Sequence, residues 1–296
     1  MPSTDLAVAL PPRAHTSFEA RFGRSRRAVW GLAVLALTLL GATLGSFVWP
    51  GDPESLSPPN KLLAPLSTDR DGLIHYLGTD SLGRDIVSRV LFGARISLAV
   101  ALGSIVLSGI VGVVLGLIAG YYPRLDGLIM RLADIQLAVP TILLAIALAA
   151  VLGPSLTNII LVLAITNWVI FARTVRSSTL QLRSSLFVEA ARTVGAGDSR
   201  IIADHVMRNA WTPIIVIASQ RVAQMILLEA SLSFLGVGVP VGVPTWGSMV
   251  ADGRAQILTS QWWVAGFPGL AITLTVLGVN FFGDGLRDVL DPRLRV

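Results

Sequence analysis

Two ionisable side chains, Arg221 and Glu229, stand inside the otherwise uncharged apolar run Ile214 to Leu235. Each would cost about 2.5 to 3.5 kcal/mol at the centre of an isolated inserted helix, so both are expected to face a wet or protein-lined interior. Their separation of eight residues amounts to about 12 Å of helical rise, too far for one direct salt bridge. Gln220, Gln224 and Ser231 fall on nearly one helical face. Gln220, Arg221, Gln224 and Glu229 are therefore candidates for lining a path through a bilayer. The alternative is that Arg221 snorkels outward or packs against a partner subunit, while Glu229 makes a structural hydrogen bond near one mouth.

A second group, Gly78-Thr79-Asp80 with Gly83-Arg84-Asp85, is suited to a local network of ion pairs and caps that fixes the approach to the following helix. A plain polar hairpin is the other reading. A third stretch, Glu189 to Arg208, is a polar, helix-competent island between apolar runs. Gly195 and Gly197 break it, so it reads as a short helix, a tight bend and a second short helix. An ordered connector would look much the same.

Several chemistries are excluded. Lys61 is the only lysine, and no Gly-Lys pair of a phosphate-binding loop occurs. The absence of Cys removes disulfides, thiolate metal sites and thiol nucleophiles, and His15, His75 and His205 are too scattered for a zinc motif. No GxSxG, HExxH or intramembrane carboxylate pair is found. No catalytic residue and no metal or cofactor site is expected in this chain, which is not expected to be an enzyme.

With a mean hydropathy of +0.71 and 14% charged residues in 296, the chain is read as an all-α membrane protein. Its net charge of +5 comes from cations that flank apolar runs instead of forming a face for nucleic acid. Six spans are expected, near Ala28–Trp49, Ile96–Tyr122, Ile135–Leu152, Leu156–Ala172, Ile214–Leu235 and Val264–Phe282. They imply a tail at 1–27, a first helix at 28–49, an external segment at 50–93 and a five-helix core at 94–296 with a loop at about 173–211. Pro140 marks a kink and Gly153-Pro154 a tight turn. Ser104, Ser108, Gly112, Gly116 and Gly120 recur every four residues, a stripe on which another helix can approach closely. With both termini inside, 16 cations lie on the cytoplasmic side and six opposite, as the positive-inside rule requires. Between Glu229 and Arg254 the density of Gly and Pro forbids a continuing helix, so an outer loop or re-entrant element is expected.

The residues Glu189-Ala190-Ala191, with Gly195 six positions after the Glu and nine residues before His205-Val206-Met207, resemble the EAA loop of the inner-membrane permeases of bacterial ABC importers. Arg208 departs from the pattern, which usually has Pro there; the nearest Pro is Pro213, so the end of the second short helix is left open. The segment from His75 to Leu98 resembles the amino-terminal signature of the dipeptide and oligopeptide subgroup, and Asn280 to Arg295 its carboxyl terminus.

The resemblance implies a type I ABC importer permease fold in the bacterial inner membrane. Glu189, Ala190, Ala191, Gly195, Asp198 and His205 would belong to a coupling loop on a cytoplasmic ATPase subunit. It implies a second homologous permease subunit, two ABC ATPase subunits that bind ATP and Mg, and an extracytoplasmic substrate-binding protein. Peptides are the implied cargo, with nickel or glutathione as alternatives. An ATPase-independent channel or secondary transporter is the competing class, but it would require ionisable residues or broken helices in symmetry-related spans.

Overall fold

The computed structural model describes residues 25–49 and 51–290. Most of the expected 1–27 tail, together with Arg293 and Arg295, lies outside the described residues. Besides a short 3-10 helix at Pro58–Asn60, nine longer helices occur among the described residues: α1 Arg26–Val48, α2 Ile86–Tyr121, α3 Pro123–Leu137, α4 Thr141–Leu152, α5 Leu156–Arg183, α6 Leu186–Thr193, α7 Asp198–Phe234, α8 Trp246–Ile257 and α9 Trp263–Leu290. Five are long and apolar enough to cross a bilayer, and α3 with α4 makes a sixth if the bent pair is one span.

The 36 residues of α2 extend about 54 Å, well beyond a hydrocarbon core of about 30 Å, so both ends of this helix leave the apolar layer. Asp85 caps its start by accepting from Ser88 N at 2.9 Å. Along its length α2 packs against α5, and the four-residue stripe is the contact. Ser104, Ser108, Gly112, Gly116 and Gly120 are all buried, and a Cβ at Gly116 would stand 2.5 Å from the Ala172 carbonyl oxygen. The main core gathers Leu98, Val100, Ile105, Val162, Leu163, Phe171, Met225 and Ile226 from α2, α5 and α7.

One expectation requires correction, and two others gain detail. The kink expected at Pro140 is a sharp bend, with α3 and α4 meeting at 91°. Pro140 lacks the amide that would continue the ladder, and its ring disfavours helical backbone at Val139. The second short helix of the 189–208 island is not separate from the fifth span. It begins at Asp198 and runs through a wide π-type turn, Ile201–Met207, into the 37-residue α7. Arg208 has the backbone N–H that proline would remove, so nothing terminates the helix there. Pro213 is accommodated within it.

The segment after α7 interrupts the helix as expected: α7 ends at the Gly and Pro cluster, with Gly236 at φ +79°. The chain then forms α8, whose start carries a reciprocal cap between Thr245 and Ser248. Trp246 is fully buried and donates from Nε1 to the Val90 carbonyl at 3.0 Å.

Residues 51–85 fold over the start of α2 as turns and a small hairpin, β1 Ser67–Thr68 against β2 Ile74–His75, with Ser67 opposite His75.

Candidate functional site

At one end of α2 the EAA-like loop is held by a cluster of its own. Val188, Ile201 and Val206 are fully buried against Tyr121, the last residue of α2, with Ala191 and Ala196 packed around them. The Tyr121 hydroxyl donates to Asp198 Oδ1 at 2.5 Å and accepts from Arg192 Nη2 at 3.2 Å. The Arg192 guanidinium lies 5.6 Å from the Tyr121 ring centroid, and Arg183 donates to the Tyr121 carbonyl at 3.1 Å. Gly195 turns the chain between α6 and α7 at φ +90°, a conformation open to glycine at little cost.

The outer surface of this hairpin is free. Glu189 and Ala190 are exposed, as are Leu186 at 84% and Val194 at 89%. The His205 and Phe187 rings meet at a tilt, with centroids 6.0 Å apart, and with Asp204, Arg208 and Asn209 line an open cleft of about 540 Å³. The six residues singled out in the sequence thus share one helical hairpin, anchored on its inner face and bare on its outer one.

At the opposite end of α2 the Gly78 to Asp85 segment is a charge and hydrogen-bond network, not a plain polar hairpin. Asp80 is buried and accepts from Leu82 N, Arg84 N and Arg84 Nε at 2.8, 2.9 and 2.7 Å. The Thr79 hydroxyl donates to the Asn60 carbonyl at 2.6 Å and accepts from Leu63 N at 2.8 Å. Asp85 also receives Trp49 Nε1 at 3.0 Å and lies 2.9 Å from His75 Nδ1, so α1 is tied to the start of α2. Gly78 and Gly83 have φ of +80° and +78°, and a Cβ at Gly83 would stand 1.9 Å from the Ser57 carbonyl oxygen.

The candidate path residues separate. Arg221 and Gln224 line a cavity of about 310 Å³ with Ser231 and with Leu137, Thr141, Thr166 and Asn167, where the α3–α4 bend meets α5 and α7. Arg221 Nη1 donates to Gln224 Oε1. Gln220 is half-buried and outside that lining.

Glu229 corrects the sequence reading, because it is fully buried away from the cavity. It accepts from Ser97 Oγ at 3.0 Å and Ser233 Oγ at 2.7 Å. At about 100° per residue, five positions from Gln224 turn it about 140° around α7, onto the side where α2 packs. Ser97 also accepts from Trp246 N at 3.3 Å, so Glu229 joins α2, α7 and α8. This is the structural hydrogen bonding weighed as the alternative.

Residues 112–296 match the family described as the binding-protein-dependent transport system inner membrane component, and residues 18–65 match the N-terminal transmembrane domain of oligopeptide transport permease C. The chain belongs to this permease family. It is 44% identical over 93% of its length to a putative peptide transport system permease protein of Brucella suis, of which 91% is covered. It is 41% identical over 99% of its length to a di/tripeptide transport system permease protein of Pseudomonas aeruginosa, covering 97% of that protein. To a glutathione transport system permease protein of Pectobacterium atrosepticum it is 42% identical, over 98% of this chain and 94% of the other. The chain is a multi-pass ABC transporter permease and not itself an enzyme.

Three features of this permease escaped the sequence reading. Tyr121 carries no signal in the sequence beyond lying inside the expected span Ile96–Tyr122, and nothing near it announces Asp198 or Arg192. Asp252 closes the network around Arg84 and Arg89 from 163 positions beyond Arg89. Thr166 and Asn167 form the polar wall opposite Arg221, and that pair was visible as a break in the Leu156–Ala172 run.

Removing only the hydroxyl, Tyr121→Phe, is expected to cost the loop about 1 kcal/mol, since Asp198 and Arg192 are exposed and can turn to water. Amide hydrogen exchange should then rise about fivefold in residues 190–200 and stay unchanged in the middle of α2.

Proposed function

We propose that this permease is one half of a heterodimeric channel in a bacterial inner membrane that imports short peptides, driven by two ATPase subunits at the EAA-like loop. Both termini and residues 173–211 lie in the cytoplasm, and residues 50–93 and α8 face outward, where a substrate-binding protein delivers the cargo. The partner ATPases bind ATP with Mg. Arg221 and Gln224 border the translocation path together with Thr166 and Asn167.

The observation that carries this reading is the two-faced hairpin of α6 and the start of α7. Its inner face is locked to α2 by Tyr121 and the Val188 cluster, while its outer face leaves Leu186 and Val194 uncovered. Apolar side chains so exposed on a polar element suit a protein partner. A lever needs this combination of a stiff root and a surface to be pushed. ATPase closure would shift the hairpin, and α2 and α7 would carry the shift to the far side of the bundle.

Glu189→Arg and Gly195→Glu change the outer face and the turn without touching the buried cluster. Each is expected to leave membrane insertion intact while abolishing ATP-dependent uptake and co-purification of the ATPases. Uptake that survives both changes rejects the loop as the coupling element.

Glutathione is a second cargo, favoured by the relatives named for it at 42% identity. Competition between labelled dipeptide and glutathione for uptake by the reconstituted system separates the two.

A further inference from the structure

Arg84 and Arg89 lie side by side at the end of α2 away from the EAA-like loop, almost withdrawn from solvent: their side chains are 10% and 3% exposed. Asp80 holds both, at 2.7 Å from Arg84 Nε and 3.6 Å from Arg89 Nε. Their only other carboxylate among the described ion pairs is Asp252 of α8, 3.5 Å from Arg84 Nη2 and 3.5 Å from Arg89 Nη2. Charge-assisted contacts between guanidinium and carboxylate ordinarily close to about 2.7 to 2.9 Å. Asp252 is thus a loose ligand, and its side chain is 48% exposed.

Arg89 is also incompletely satisfied. Its Nη1 is buried and has no hydrogen-bond partner, an omission that costs about 1 to 3 kcal/mol for a buried donor, and more for a charged one. Both arginines border a cavity of about 640 Å³ between α8, the start of α2 and the turn after α7. Its wall carries three guanidiniums, of Arg84, Arg89 and Arg254, against the single carboxylate of Asp252, with Phe234 and Val239 among its apolar residues. Partial burial pushes the Asp252 carboxyl above its ordinary value in spite of the two arginines.

We propose that Arg84 and Arg89 form a carboxylate-binding site at this end of the permease, and that Asp252 is an internal ligand an incoming carboxylate displaces. A carboxylate seated there can accept from Arg84 Nη2 and Arg89 Nη2, the two nitrogens that Asp252 reaches only loosely, with an apolar flank for the group that bears it. The source is the free terminus of a short peptide or an acidic side chain of a docking protein. That choice of sources rests on the importer reading, whereas the carboxylate chemistry rests on the cluster alone.

The test is equilibrium binding to the purified permease–ATPase complex in nanodiscs without ATP, so it stands or falls independently of transport. The probes are N-acetyl-Ala-Ala, its C-terminal amide and the ligand-free substrate-binding protein. The expected result is saturable binding of the acid, at least tenfold weaker binding of the amide, at least tenfold tighter binding to Asp252→Asn, and loss of binding in Arg89→Gln. Tighter association of the substrate-binding protein with Asp252→Asn, without peptide binding, supports the site and assigns the carboxylate to that protein. Equal binding of acid and amide, no binding of any probe, or weaker binding to Asp252→Asn overturns the proposal. Should Arg89→Gln fail to assemble, Asp252→Asn decides alone, because a purely structural Asp252 gives no gain in affinity.

Discussion

Replacing Asp80 by alanine is expected to destabilise the permease by about 3 to 5 kcal/mol, the cost of removing one partner from a buried ion network. Asp80 is 3% exposed and is the acceptor that binds Arg84 closely, while also receiving two backbone amides of the turn Ser81–Arg84. Without it, two nearly buried guanidiniums are left with the half-exposed Asp252 at 3.5 Å. The measurement is thermal unfolding of the detergent-solubilised chain, monitored by loss of the monodisperse species. Asp252→Asn, which removes only the loose ligand, should shift the midpoint far less. Equal shifts would mean that Asp80 is not the centre of the network.

Gly116→Leu is expected to prevent α2 and α5 from packing, with a loss of about 3 kcal/mol or more and little permease recovered from the membrane. A Cβ at Gly116 meets the Ala172 carbonyl oxygen at 2.5 Å and Val175 Cβ at 2.9 Å, so the obstruction includes backbone that no rotamer change relieves. In a bilayer, where helices associate through close packing and not by escaping water, a lost contact of this kind is not made up elsewhere. Gly109 of the same helix provides the control, since a Cβ there meets only Phe171 Cε1 at 3.9 Å. Gly109→Ala should assemble normally. If Gly116→Leu also assembles normally, the small-residue stripe is not what holds the two helices together.

The two predictions concern features that differed in how far they could be read beforehand. The stripe from Ser104 to Gly120 needed only its period of four to indicate a close helix contact, although not that α5 would be the partner. Asp80, Arg84 and Asp85 suggested a network, yet the acid that completes it arrives on α8. For the loop, the pattern around Glu189 and Gly195 indicated two helical pieces and a bend. That the second piece runs unbroken into the fifth span is not carried by the pattern, since even Pro213 sits within the helix without ending it. Glu229 was misplaced because a charge in an apolar run signals only that it avoids lipid. Whether it meets water or two serine hydroxyls depends on what packs against that face.

The amino-acid sequence by itself determined that this chain is helical and membrane-embedded, roughly where its spans lie, and which polar islands interrupt them. Those properties follow from local composition and from periods of a few residues, which act along the chain. Only the tertiary structure decided that Tyr121 anchors the loop, that Asp252 closes over Arg84 and Arg89, and that Arg221 and Glu229 point to different surroundings. Such assignments depend on which helices become neighbours, and that is set by the summed packing of distant faces, which no single stretch of residues carries.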